Sequence, residues 1–172
     1  PSRSKAAACI VGDSAAVIGW INGLKNVNIG VYKIYVGQVL SALHGAYQPG
    51  LIEPRLPHLD FAVHQYSEFN KMADALATLG LKTQNYVYHH QRCSDLCFIR
   101  ACFDGGCREA NSAAGFTIET AVPKDETNHE PFWTLVFSVG LRICHDGSAN
   151  AVAAELFGAQ QAVLALLSYL LH

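Results

Sequence analysis

Four acidic residues lie where a folded chain would place carboxylates at the ends of its strands and helices. Asp13 and Asp104 each follow an apolar run that is typical of a buried strand, and Asp74 and Glu155 each fall early in a helical pattern. Singly, such residues are more often helix caps or partners of the helix dipole. Jointly, they suit Mg²⁺, which prefers oxygen ligands, and paired divalent cations greatly assist phosphodiester hydrolysis. The pattern therefore predicts a carboxylate centre for divalent metal, provided that the fold brings the four side chains together.

The apolar patterns predict the elements that would position these carboxylates. The first part of the chain should contain a strand, two helices, a proline-rich loop, a strand and a helix closed by Gly80, at residues 6–11, 14–24, 31–43, 49–57, 59–64 and 68–79. Ser14 is the predicted N-cap of the first helix. The last part should contain an antiparallel three-strand meander and a long helix, at residues 98–103, 115–122, 133–144 and 150–171. Residues 81–97 fit neither period and are predicted to be a linker.

Length and composition indicate one globular domain. The chain has 172 residues, of which 51% are apolar and 15% charged, so it can bury a substantial core. The formal net charge of −2 argues against a protein that grips nucleic acid by bulk electrostatics. Phosphate contacts would have to come from local basic clusters or from bound metal ions.

The cysteines and the hydropathy of the chain indicate its cellular compartment. The six cysteines form no small-scaffold disulfide pattern and no secretory signal is visible, so we expect reduced thiols and an intracellular protein of the cytoplasm or nucleus. Residues 151–171 come nearest to a membrane span, but Glu155 and three other polar residues interrupt them, and we expect no membrane partner. The sequence begins at Pro1 and its only methionine is Met72, which suggests a piece excised from something longer.

Several segments together resemble ribonuclease H. Asp104-Gly105 stands at the end of the first strand of the meander, and Gly115 opens the second strand. An Ala-Glu-Leu context surrounds the glutamate of the following helix, and an Asp-Ser pair precedes an apolar helix, as at Glu155 and Asp13-Ser14. A histidine, an asparagine and an aspartate follow at intervals of six and four residues, namely His64, Asn70 and Asp74. The resemblance covers most of residues 6–80 and 98–171.

The resemblance implies a fold, an activity and a set of roles. The fold would be α/β, a mixed five-stranded sheet flanked by helices, and the activity a Mg²⁺-dependent endonuclease that cleaves the RNA strand of an RNA–DNA hybrid. Asp104 and Asp13 would lie near both of two Mg²⁺ ions (or Mn²⁺), with Glu155 at one ion and Asp74 at the other. His64, on a mobile loop, would assist metal or product turnover. Implied substrate contacts are Gly105, Ser14, Asn70, Asn150 and Arg108.

The family runs the two halves in the opposite order. Residues 98–172 are similar to the N-terminal half of ribonuclease H and residues 1–80 to its C-terminal half, with 81–97 between them. If His172 is joined to Pro1, the family's order is restored, which predicts one circularly permuted domain over 1–172 with its ends close together. The rival reading is a cut across two tandem copies, which could close on itself or exchange halves in a domain-swapped homodimer.

Departures from the family pattern support a second hypothesis. Ala151 and Val152 occupy the positions of two asparagines that help to recognise RNA, and the nearest asparagine is Asn150. Residues 25–48 contain only two lysines where the family carries a basic protrusion. These features favour an inactive binding or scaffolding module of a larger, retroelement-like polyprotein. The histidines and cysteines of residues 89–97 match no common zinc-knuckle spacing and are assigned to the linker.

Overall fold

A mixed β-sheet forms the centre of the structure, a computed structural model that describes residues 6–47, 52–54, 62–82, 86–89, 98–121, 133–143 and 150–171. Its strands are β1 Ala6–Gly12, β2 Ile52–Pro54, β3 Ala62–His64, β4 Tyr86–His89, β5 Phe98–Arg108, β6 Asn111–Ala121 and β7 Trp133–Ile143. The helices are α1 Ala15–Ile21, α2 Gly30–Tyr47, α3 Lys71–Lys82 and α4 Ala151–Leu171, and a 3₁₀ turn, Ser67–Phe69, precedes α3.

The strand order along the sheet is β2-β1-β5-β6-β7-β4, and β3 also pairs with β1. Strands β5, β6 and β7 form an antiparallel meander, and β4 runs antiparallel to β7 at one edge. Strand β1 runs parallel to β5, and the short strands β2 and β3 pair in parallel with successive parts of β1. The first half of the chain thus joins the meander through the β1–β5 pair.

The two faces of the sheet are covered by different helices. On one face, α4 packs against β5 and β6, and α2 packs against α4. Ile10, Phe103 and Ile118 of the sheet are buried there with Leu156 and Val163 of α4. On the other face, α3 packs against β5, β6 and β7. This arrangement places a helix on each side of β5, the strand that carries Asp104.

Helix α4 is long and apolar enough to cross a membrane over Ala151–Leu170. In the fold, 44% of that segment is buried, and α4 contacts β5, β6 and α2. Its position between the sheet and α2 accounts for apolar side chains on more than one side of the helix.

Small residues let the helices approach the sheet closely. A Cβ atom added at Gly105 would overlap the backbone of Ala154 and Glu155 in α4. On the opposite face, a Cβ atom at Gly115 would overlap the backbone of α3 at Ala73 and Ala77. Close helix–sheet contact at these two glycines sets the height of each helix above the sheet.

The α/β class and the mixed sheet are confirmed, whereas the prediction of five strands is wrong. Seven strands occur in the described residues. Strand β2 falls in the predicted proline-rich loop, and β4 falls in the predicted linker. Both are short edge strands, which are held by backbone hydrogen bonds and need little apolar periodicity.

Several element boundaries also differ from the predictions. Strand β5 continues through Asp104 to Arg108, because it pairs with β6 over its whole length. Gly80 does not close the helix but lies buried inside α3, against the backbone of Leu141. Helix α1 does begin after Ser14, whose hydroxyl accepts a hydrogen bond from the Val17 N–H group at 3.5 Å.

The neighbouring glycines of β5 provide a matched test of the contact with α4. Gly105→Ala should lower the free energy of unfolding by about 2–3 kcal/mol, since the methyl group must displace the α4 backbone. Gly106→Ala should be neutral or slightly stabilising, because its methyl group would meet only Leu81 Cδ1 at 3.4 Å. Urea denaturation of both variants measures the difference. Equal stability of the two variants would contradict the close approach of α4 to β5.

Candidate metal centre

Three carboxylates from three different elements meet at the sheet. Asp13 directly follows β1, Asp104 lies within β5, and Glu155 is in the first turns of α4. One carboxylate oxygen from each of the three residues can be chosen so that these oxygens all lie within 4.8 Å of one another. The structure therefore brings together three of the four acidic residues that the sequence indicates, at a spacing that a single divalent cation can bridge.

Strand register accounts for the meeting of the two aspartates. Strands β1 and β5 run parallel with Val11 opposite Cys102. Extending that register by two residues places Asp13 beside Asp104. Partners in a register pair lie on the same face of a sheet, so the two carboxylates leave the sheet on the same side.

Glu155 is positioned by the N-terminus of α4. Asn150 caps this helix, and its Oδ1 accepts hydrogen bonds from the Val152 and Ala153 N–H groups at 2.8 and 3.3 Å. Its Nδ2 donates to the Tyr32 hydroxyl at 2.6 Å, which ties the cap to α2. The Tyr32 ring in turn packs against Trp20 of α1, with ring centroids 5.7 Å apart. Together with the contact at Gly105, these interactions fix where Glu155 enters the centre.

Burial and mutual repulsion dominate the electrostatics of the centre. Asp104 is only 6% exposed, and burial together with the nearby Asp13 raises its pKa above the ordinary range. Burial and the Asp104 charge likewise raise the pKa of Glu155. The Oε2 atom of Glu155 is buried with no hydrogen-bond partner among the described residues. Carboxylates that repel one another, with a buried oxygen left without a donor, are the donor set that a divalent cation would stabilise.

Asp74 stands apart from the three close carboxylates. It lies in the first turn of α3, where its side chain is exposed and its N–H group donates to the Asn70 carbonyl. Within the part of the chain that the structure describes, it does not join the group of mutually close ligand atoms. Its charge still contributes to the raised pKa of Asp104, as the smallest of the causes. Asp74 therefore faces the centre from farther away.

His64 and Asn70 attach their segment to the backbone beside the two aspartates. His64 Nε2 lies 3.0 Å from the Asp13 carbonyl oxygen, and Asn70 Nδ2 donates to the Phe103 carbonyl at 2.8 Å. His64 is the last residue of β3, opposite Gly12, which agrees with the strand predicted to end there and not with the mobile loop that the resemblance implied. Asn70 is 2% exposed, so its side chain packs in the interior and also holds the start of α3 against β5.

The implied substrate contacts take different places in the structure. Ser14 caps α1, Asn150 caps α4, and Gly105 lies under the α4 backbone. Arg108, the exposed last residue of β5, borders a surface cavity with Lys82 and Asn111. It lies four residues beyond Asp104, which is about 13 Å along a strand. Arg108 can therefore contact a phosphate only at some distance from the centre.

Sequence reasoning did not identify Tyr32 as a residue that supports the centre. Its partner Asn150 is 118 positions away in the chain, and no local pattern signals such a contact. Arg100, in the same strand as Asp104, pairs with Glu119 at 2.6 Å and stacks over Trp133, with its Cζ 4.2 Å from the ring centroid. Arg100 is thus committed to an ion pair.

Three of the cysteines lie in the described residues. Cys9, Cys102 and Cys107 form no disulfide there. Burial raises the pKa of Cys102 to about 12, so its thiol stays protonated and unreactive. Residues 90–97, with most of the cluster that was weighed as a zinc site, lie outside the described residues.

The raised carboxyl pKa values predict a pH-dependent penalty in the metal-free protein. The folded chain holds protons that the unfolded chain has released, so its free energy of unfolding falls as the pH rises above about 4. Glu155→Gln should therefore raise the free energy of unfolding at pH 8 by about 1–2 kcal/mol, and should change it little at pH 4. Urea denaturation in a chelating buffer at both pH values measures the effect.

Glu109→Gln is the matched control, because Glu109 is exposed in the turn after β5, five residues beyond Asp104. It should leave the pH dependence unchanged. One result would refute the repulsion between Glu155 and the two aspartates. In it, the Glu155→Gln variant is less stable than the parent chain at pH 8 but no less stable at pH 4.

Comparisons of the chain with family models, with curated proteins and with solved structures find no match.

Proposed function

We propose that this chain is a metal-dependent endonuclease that hydrolyses the RNA strand of RNA–DNA hybrids. The observation that carries the proposal is the approach of Asp13, Asp104 and Glu155 to within 4.8 Å of one another. Burial makes this arrangement costly without a cation, since like charges in a partly dry site repel strongly. A structural role gives no reason to gather three acids in this way, whereas phosphoryl chemistry does.

The donor set fits Mg²⁺, and Mn²⁺ as a substitute, because all three side chains offer carboxylate oxygens and none offers sulfur or nitrogen. Asp13, Asp104 and Glu155 would hold the first ion, and Asp74, with Asp13 or Asp104, a second. When bound, such ions activate water and stabilise the leaving oxygen of a phosphodiester. His64 lies beside Asp13 at the edge of the centre, where it would assist metal or product turnover.

The architecture is compatible with a ribonuclease H-like fold in permuted order, and this supports the proposal. An antiparallel meander is followed by a long helix that carries the glutamate, and a parallel strand beside the first meander strand carries the next aspartate. Asp13 comes from residues 1–80, while Asp104 and Glu155 come from residues 98–172, and all three meet within one chain. We therefore favour one closed, permuted domain over an exchange of halves between two chains.

One observation favours the second candidate, an inactive binding or scaffolding module. The Asn150 amide is engaged at both ends, by the helix cap and by the Tyr32 hydroxyl. At most one Nδ2 hydrogen of this amide is left for an RNA 2′-hydroxyl, and the next two positions are Ala151 and Val152. Recognition of RNA would then depend on other parts of the surface.

Cleavage of an end-labelled RNA–DNA hybrid in the presence of Mg²⁺ tests the proposal. Wild-type protein should cleave the RNA strand, and a chelator should abolish cleavage. Asp104→Asn should reduce the rate by at least about 100-fold, because it removes a ligand charge and not merely an outer partner. Glu109→Gln should cleave at the wild-type rate, since it removes a charge of the same sign outside the centre.

Two results would overturn the enzyme hypothesis. One is the absence of cleavage with Mg²⁺, Mn²⁺ or any other divalent ion. The other is cleavage that Asp104→Asn does not affect, which would indicate a contaminating nuclease. Binding of a hybrid without cleavage would support the module.

A further inference from the structure

Large apolar side chains are exposed on a short segment beside the carboxylate centre. Tyr66 is 69% and Phe69 70% exposed, and Met72, three residues later, is 51% exposed. Single exposed apolar residues are ordinary in soluble proteins, whereas a cluster at the border of a candidate site marks a contact surface. Tyr66 and Phe69 are called the aromatic pair below.

The segment that carries the aromatic pair is attached to both strands of the centre. The Gln65 N–H group donates to the Gly12 carbonyl at 2.9 Å, directly before Asp13. Asn70 donates to the Phe103 carbonyl at 2.8 Å, directly before Asp104. The aromatic pair lies between these two attachments, so its distance from the carboxylates is set by the fold.

A short turn holds the two residues of the aromatic pair near each other. Tyr66 is the N-cap of the 3₁₀ turn, and the Phe69 N–H group donates to the Tyr66 carbonyl at 2.9 Å. The Tyr66 ring also meets the His64 ring edge to face, with centroids 5.5 Å apart, and His64 lies 3.0 Å from the Asp13 carbonyl oxygen. Tyr66 is thus linked to the centre through one side chain.

The charge around the aromatic pair selects among possible ligands. Residues 62–72, which carry the aromatic pair and Met72, contain one acid, Glu68, and one base, the exposed Lys71. With Asp74 the local charge is negative, so this surface does not attract a phosphate backbone or an anionic membrane strongly by charge. Exposed aromatic rings instead suit the flat face of a nucleobase, which stacks on them whatever its sequence. Paired bases inside a duplex hide their faces, so the ligand has to be an unpaired base.

We propose that Tyr66 and Phe69 form a stacking site for an unpaired base next to the carboxylate centre. This inference rests on the proposed nuclease function and narrows its substrate to a hybrid flanked by single strand, rather than an uninterrupted duplex. The aromatic pair would supply binding affinity that the chain, with a formal net charge of −2, does not gain from electrostatics. It also places the junction between paired and unpaired strand near the carboxylates.

Binding by the full chain with Asp104→Asn, which prevents cleavage, tests this site in Mg²⁺ buffer. The probes are a blunt RNA–DNA hybrid and the same hybrid with a short RNA overhang that contains 2-aminopurine. The overhang hybrid should bind about tenfold more tightly, and its 2-aminopurine emission should be quenched by stacking. Tyr66→Ala and Phe69→Ala should each weaken binding of the overhang hybrid about tenfold and restore the emission. Neither substitution should change binding of the blunt hybrid or the salt dependence, since neither removes a charge.

Two further sets of variants control the experiment. Tyr88→Ala removes an exposed aromatic ring of β4, at the opposite edge of the sheet, and should have no effect. Tyr66→Leu and Phe69→Leu keep apolar volume and fold stability but lose the aromatic face, and should weaken binding as the alanine variants do. Thermal unfolding should change little for any of them, because the rings are mostly exposed.

The outcomes separate this inference from the nuclease proposal. Equal binding of the two hybrids, or full binding by the leucine variants, overturns the stacking site even if the wild-type protein cleaves. The leucine result would assign the surface to a protein partner. Quenching that depends on the aromatic pair supports the site even if no cleavage occurs, and the nuclease proposal alone then fails.

Discussion

The candidate centre depends on the close contact between α4 and β5. Because Gly105 has no side chain, the first turns of α4 can lie directly on the strand, and Glu155 reaches Asp104. The rest of the fold holds this contact in place. Strand β1 brings Asp13 alongside through its register with β5, and the Asn150–Tyr32 hydrogen bond ties the end of α4 to α2. Helix α3 supports β5 from the opposite face.

This contact opposes the electrostatics of the residues that it gathers. Packing favours a dry, close approach, while the acidic side chains favour separation and water. The packing of many apolar groups prevails, and the carboxyl groups respond by retaining protons, which is why the pKa values of Asp104 and Glu155 are raised. A protein interior that tolerates such repulsion is typical of a site selected for chemistry, and atypical of one selected for stability alone.

The sequence predicted the elements that have strong local patterns. Strand β1, the meander, α4 and the Ser14 cap follow from apolar runs and a cap residue, and the three close carboxylates were all among the candidates. Edge strands β2 and β4 were missed, because backbone hydrogen bonds with a neighbour form them. Tyr32 was missed because its role depends on a residue far along the chain. The exposure of Tyr66 and Phe69 likewise depends on which neighbours cover them, and no periodicity encodes that.

The pairing of β1 with β5 affects the order in which the protein can fold during its synthesis. Strand β1 precedes its neighbour β5 by some ninety residues, and Glu155 follows later still. During synthesis, an incomplete chain has Asp13 with nothing to meet and an uncovered edge on β1. Contacts between such distant parts of a chain form slowly. The acidic centre therefore arises only after α4 has been made, and an incomplete chain that lacks α4 has only two of the three close carboxylates.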